Sequence, residues 1–150
     1  MKIAIGSDHG GFELKGKLIA HLNENGYEVV DCGTYEPKSC NYPDIAKKVA
    51  DKVVAGEVDK GILCCGTGIG MSIAANKVKG VRAAVVSDAF STKYTRLHND
   101  TNILCLGERV IGPGLAAMLV DIFLTTEFEG GRHQRRVDQI MAIEAGTFEG

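Results

Sequence analysis

The sequence predicts an α/β fold: a three-layer α/β/α, Rossmann-like domain built on a five-stranded parallel sheet and spanning residues 1–150. Three observations carry this expectation. Short apolar runs alternate with stretches of helical period along the whole chain. The apolar runs are continuous, as strands covered on both faces require. No linker, low-complexity segment or repeat interrupts the order. Strand–helix alternation of this kind implies right-handed crossovers and a parallel sheet with helices on both sides.

Each element has its own signal. Lys2 to Asp8, "KIAIGSD", reads as the first strand. "FELKGKLIAHLNEN" follows with Leu14, Leu18, Ile19 and Leu22 at helical spacing, and Gly26 stops it. "YEVVDCG" is a second strand, and "TYEPKSCNYP", with two prolines, is a loop. Asp44 to Ala55 reads as a helix closed by Gly56. "KGILCCG" is a third strand and "GIGMSIAANK" starts a helix. "VRAAVVS" and "AFSTKYTRLHN" form the next strand and helix, and "NILCLG" is the fifth strand. "GLAAMLVDIFLTT" is a helix that is apolar nearly all round, and "RRVDQIMAIEA" closes the chain as another.

Composition excludes several classes. The chain has 150 residues, 45% hydrophobic and 24% charged, with a net charge of −2. That balance gives no reason to expect a nucleic-acid partner. No apolar run approaches the roughly 18 residues needed to cross a membrane. The start, "MKIAIGSD", lacks the apolar core of a signal peptide, so the expected location is the cytoplasm. Five cysteines, an odd number, with no C-x-x-C spacing argue against a disulfide framework. Cys64 and Cys65 are adjacent, so on a strand they point to opposite faces, which disfavours a redox pair. No histidine or further cysteine lies at metal spacing beside them. Cys32, Cys64 and Cys105 read as small buried hydrophobes.

In doubly wound sheets, ligands bind at the carboxyl ends of the strands. There the sequence places Ser7-Asp8-His9, Gly33-Thr34, Cys65-Gly66-Thr67, Ser87-Asp88 and Gly107-Glu108-Arg109. "GTGIGM" has glycines at 66, 68 and 70; the dinucleotide pattern needs a further glycine where Met71 stands, and no Walker lysine follows. Converging amides at a strand end and a helix start still suit an anion, and a tight turn without a ligand is the plain alternative. Cys65 at the last strand position faces that helix start, where a thiol is expected to ionise more readily. A thiolate beside an oxyanion site can move a proton on a carbon next to a carbonyl.

Other polar groups have bland readings as well. Asp8 or Ser7 can cap a helix. His98, with Asn99 behind it, suits a helix C-terminus, which lies away from the carboxyl rim unless a second subunit brings it over. "GGRHQRR" opens the last helix with cations against the positive end of its dipole. Arg132 and Arg136 are i, i+4, within ~40° of each other, and two guanidinium forks on one face suit a phosphate monoester. A solvated basic face is the usual reading of such a run, and Arg109 could join the anion site.

Together "GSDHGGFELK" (6–15), "CGTGIGMSIAANK" (65–77), "RAAVVSDAFSTKYTRLHNDTNILCLGERVIG" (82–112) and the basic run 132–136 resemble the ribose-5-phosphate isomerase B family, which also includes allose-6-phosphate and galactose-6-phosphate isomerases. The resemblance spans essentially the whole chain. It implies reversible aldose–ketose isomerisation of ribose 5-phosphate and ribulose 5-phosphate, in the non-oxidative pentose phosphate pathway, with no metal or organic cofactor. A hexose 6-phosphate is the alternative substrate. It implies Cys65 as the base and Cys65, His98 and Thr67 as the catalytic group. His98 would open the furanose ring. The amides from Gly66 through Gly68, Ile69 and Gly70 would hold the enediolate. Asn99 and Asp8 would contact sugar oxygens, and Tyr42 and Thr67 would line the pocket. His9, Arg132 and Arg136, joined by Arg109, would grip the phosphate. A homodimer or dimer of dimers is implied, with His98 and Asn99 crossing the interface and the apolar helix from Leu115 to Leu124 as an interface element.

Overall fold

A computed structural model describes residues Met1 to Gly150. Five parallel strands make one sheet: β1 (Lys2–Ser7), β2 (Glu28–Asp31), β3 (Lys60–Cys65), β4 (Ala83–Val85) and β5 (Ile103–Gly107), in the order β2-β1-β3-β5-β4. The helices are α1 (Phe12–Glu24), α2 (Tyr42–Val54), α3 (Ile69–Ala75), α4 (Ala89–Asn99), α5 (Pro113–Thr125) and α6 (Arg132–Ala145). A short 3-10 turn, His9–Gly11, joins β1 to α1. No helix is long and apolar enough to cross a membrane.

The two-residue alternation of a strand sorts the core into two faces. Ile3, Ile5, Ile62, Cys64, Leu104 and Leu106 pack with α1 and α5 through Leu14, Leu18, Leu22, Leu119, Val120 and Phe123. Ala4, Leu63, Cys65, Ile103 and Cys105 turn the other way, onto α2 and α3, against Ile45, Ala46, Val49, Met71 and Ala75. Cys64 and Cys65 thus sit on opposite faces, as alternation requires.

Several boundaries differ from the sequence reading, each for a local reason. Helix α2 starts at Tyr42 because Pro43, in its first turn, gives up only an amide that has no helical partner there. The fourth strand shrinks to three residues at the sheet edge. The edge strands β2 and β4 are only partly buried, since one side of each lacks a neighbour. Asn76 covers that side of β4: its side-chain amide donates to the Ala83 carbonyl at 2.9 Å and accepts the Ala83 N–H at 2.8 Å. The apolar helix α5 turns one face into the core of its own chain and leaves another in solvent. Ala116, Leu119, Val120, Phe123 and Leu124 are buried, while Met118 stays exposed.

Two buried cations tie loops to this frame. Lys15 donates to Asp31 Oδ1 at 2.7 Å and to the Thr34 carbonyl at 2.6 Å, holding the segment after β2 against α1. Arg96 donates to the Thr126 and Thr101 carbonyls and to Asp100 Oδ1, joining the end of α4 to the segment beyond α5. A charged group out of water holds its place only through such partners.

Glycine is required where backbones touch. A Cβ on Gly11 would lie 2.5 Å from the Cys64 carbonyl carbon, so α1 starts directly against the end of β3. Gly11→Ala is expected to cost about 1–3 kcal/mol through overpacking. Gly16→Ala, with nothing within 4 Å of the added methyl, is expected to stabilise α1 by about 0.5–1 kcal/mol. Urea denaturation of both variants checks the pair, and equal midpoints would contradict it.

Candidate active site

Parallel topology brings the carboxyl ends of β1, β3 and β5 to one rim, and backbone hydrogen bonds lock them together. Asp8 N–H donates to the Cys64 carbonyl at 3.3 Å. Glu108 N–H donates to the Cys65 carbonyl at 2.9 Å and Arg109 N–H to the Gly66 carbonyl at 3.0 Å. The glycine loop between β3 and α3 is therefore held on both flanks.

Within the loop, Gly68 adopts the left-handed conformation, φ 81°, which turns its N–H back onto Cys65. That N–H donates to Cys65 Sγ at 3.0 Å. Cys65 is buried, yet its sulfur meets a backbone dipole instead of only apolar atoms. Thr67 Oγ1 accepts the Ile69 N–H at 3.2 Å. Gly70, next in α3, has no helical acceptor for its own N–H, because it lies in the first turn.

The neighbours of this loop are the residues the sequence singled out. A Cβ on Gly70 would sit 2.7 Å from the Tyr42 ring, so Tyr42 lies directly over the loop. A Cβ on Gly66 would sit 3.3 Å from Arg109 Nη1, which puts the guanidinium on the same rim. Gly10 packs on the Gly66 amide, while Asp8 Oδ1 accepts the Gly10 and Gly11 N–H groups at 2.8 and 3.2 Å. The capping reading of Asp8 is thus correct, and one oxygen is committed to it. His9 is exposed beside this turn, and the Cys40 N–H donates to its Nδ1 at 3.4 Å.

Burial pushes the Cys64 thiol far above its ordinary range, with Cys65 and Glu108 adding to the effect, and it raises Cys105 in the same way. These two thiols are inert packing groups, and Cys32 is buried as well.

The remaining site candidates gather elsewhere. Helix α4 runs back from the carboxyl rim, so its last residues, His98 and Asn99, reach the amino edge of the sheet. Arg82, immediately before β4, donates through Nε to the Asn99 carbonyl at 3.2 Å. The start of α6 packs here too, with Arg132 and Arg136 exposed and His133 buried. The His98 and His133 rings stack with centroids 3.9 Å apart, and Glu129 stands 3.9 and 4.0 Å from their Nε2 atoms. One chain therefore collects Asp8, His9, Tyr42, Cys65, the loop and Arg109 at one edge. It collects His98, Asn99, Arg132 and Arg136 at the other. No cavity of a single chain includes Cys65. Sequence reasoning gave His133 and Glu129 no role.

The family described as Ribose/Galactose Isomerase matches residues 3–140. The chain belongs to the ribose/galactose isomerase family. It is accordingly an enzyme, an isomerase. It is 55% identical over 143 residues to ribose-5-phosphate isomerase B of Escherichia coli, covering 95% of this chain and 96% of the relative. The solved ribose-5-phosphate isomerase B of Clostridium thermocellum superposes with a TM-score of 0.96 at 54% identity, over 97% of this chain and 99% of that one. The Mycoplasma genitalium ribose-5-phosphate isomerase B, solved with bound ribulose-5-phosphate, gives a TM-score of 0.92 at 45% identity, over 96% of each chain. Within this family the five-stranded α/β architecture matches the sequence expectation throughout.

The buried His133 makes a pH prediction. Burial, then the His98 charge, and the Arg132 and Arg136 charges hold His133 below its ordinary value, with Glu129 opposing them. The unfolded chain then binds a proton that the folded chain resists, so this group's contribution is present near neutrality. It is lost as pH falls through the ordinary histidine range toward the lowered folded value. Wild type should therefore lose thermal stability relative to His133→Phe between about pH 7.5 and 5.5. Parallel melting curves for the two proteins would refute the assignment.

Proposed function

We propose that residues 1–150 act as one isomerase domain interconverting ribose 5-phosphate and ribulose 5-phosphate, in the cytoplasm and in the non-oxidative branch of the pentose phosphate pathway. The observation that carries the proposal is Cys65 Sγ held at 3.0 Å by the Gly68 amide, on a rim shared with Asp8, Tyr42 and Arg109. The bound ribulose-5-phosphate of the Mycoplasma genitalium relative supports the substrate class.

The chemistry needs one base and one anion site. The Cys65 thiolate takes the proton from C2 of the open aldose, and the C–H electron pair forms the C1=C2 double bond. Charge arrives on O1, which faces the amides of Gly66, Gly68, Ile69 and Gly70 with Thr67 beside them. The O2 proton passes to O1, O2 becomes the ketone oxygen, and Cys65 returns its proton to C1. Atoms and charge balance, and no oxidant is consumed. A single base serving both carbons requires the cis-enediolate.

Ring opening precedes this step. His98 gives a proton to the ring oxygen as its bond to C1 breaks, and takes up the proton that leaves the anomeric hydroxyl, so the hemiacetal opens without net proton change. Asn99 and Asp8 hold sugar oxygens, and Tyr42 closes the pocket over the loop. His9, Arg132, Arg136 and Arg109 bind the phosphate, whose binding energy fixes the linear sugar against the thiolate.

The two-edge distribution of these residues supports a homodimer, or a dimer of dimers, as the working unit. In a two-fold pair the amino-edge cluster of one copy can face the carboxyl rim of its partner. Exposed Val85, Val110 and Ile69 around the rim are apolar surface such a contact would cover.

Three experiments follow. Cys65→Ala should lower kcat about 1,000-fold and leave phosphate-sugar affinity near wild type; retained turnover would remove Cys65 as the base. His98→Asn should lose more activity on cyclic than on open-chain substrate, and equal losses would reject ring opening. Hybrid dimers pairing Cys65→Ala with His98→Asn chains should recover about half the wild-type activity per dimer, since one shared site is then intact. An inactive hybrid would mean that each site is built within one chain.

A further inference from the structure

The His98, His133 and Glu129 cluster contains groups that the reaction above does not use. The His98 ring lies face to face on His133, with planes 13° apart. The Tyr94 ring also meets His98, with centroids 4.8 Å apart and planes 76° apart, and Phe90 stacks on Tyr94 at 4.4 Å. The His98 side chain is about one-third exposed, whereas His133 is 6% exposed. The His133 Nε2 is buried without a hydrogen-bond partner. A buried polar atom left in that state is costly, and an apolar ring would fill the same space without the cost.

Two histidines and a carboxylate with ligand atoms within 4.8 Å of one another also invite a metal reading. Ring geometry argues against it. Each imidazole lone pair lies in its ring plane, and two nearly parallel planes 3.9 Å apart meet only far from both nitrogens.

We infer that His133 is a positioning residue for His98: a buried, flat platform that fixes the plane of the exposed ring, with Glu129 bracketing the Nε2 atoms of both. The inference rests on the ring-opening role proposed above for His98. His133 is too buried to reach a sugar, so it acts only through its neighbour. His98 ends a helix and its ring would otherwise sweep a wide arc. Contact with the His133 face and with the Tyr94 ring restricts how the His98 ring can turn. The charges around the pair come from α4, α6 and the segment between α5 and α6: Glu129, Arg132 and Arg136 face it, while Arg96 is committed to Asp100. Burial, the His98 charge and the adjacent cations hold His133 below the ordinary histidine range, with Glu129 opposing them.

The test compares His133→Ala with His133→Phe in the intact protein. His133→Ala should lower kcat on ribose 5-phosphate about ten-fold with KM within about two-fold. The ring-proton resonances of His98 should move downfield as the ring current of its platform is lost. His133→Phe should restore both the rate and the resonances, because a flat ring is what the position supplies. If the alanine variant does not fold, His133→Leu fills the volume without a ring and takes its place. Unchanged His98 resonances in the ring-less variant would overturn the inference whatever the kinetics. A phenylalanine variant as slow as the alanine one would overturn it too, since the nitrogen would then be the functional part. Full activity of His98→Asn on cyclic sugar would instead remove the ring-opening role and leave the resonance measurement to decide the stacking alone.

Discussion

Everything about this protein's surface chemistry follows from the direction of its strands. A parallel sheet gathers the carboxyl ends of all strands at one edge, and each crossover helix runs back to the other. Cys65 closes β3 and so lies at the first edge; His98 closes α4 and so lies at the second. No side-chain rotation spans the body of a sheet. The polar residues of the chain are thus divided between two edges by topology alone.

The first edge is held with little freedom. Three strand ends share backbone hydrogen bonds, and Gly11, Gly70 and Gly107 let peptide groups and a ring approach where a methyl would collide. The left-handed Gly68 then turns one amide onto the sulfur. Cys64, one residue earlier, shares the same strand and none of this environment. Period-two alternation sends it into the opposite core, where loss of hydration keeps it a neutral thiol. Adjacent cysteines have different chemistry here because a strand has two faces.

Much of this was legible in the sequence. Continuous apolar runs gave the five strands, and the glycine spacing with Cys65 at its head marked the rim. Tyr42 and Arg109 fall beside the loop. What was less legible depended on contacts distant in sequence. Helix α5 read as apolar nearly all round, and nothing local says which of its residues, such as Leu119 and Phe123, join the core of their own chain. The edge strands read as fully buried because strand order is not encoded in any one run of residues. The stack of His98 on His133 joins positions 35 apart and could not be seen from either helix.

The side chain of Asn76 has a bearing on how copies of this molecule can meet. By occupying the outer N–H and C=O of Ala83, it mimics one further β-bridge and ends the hydrogen-bonding ladder there. A strand offered by another molecule would find that position already taken. Growth of the sheet from molecule to molecule, the route to fibres, is therefore blocked on the β4 border, and assembly on this side is left to helix surfaces and loops.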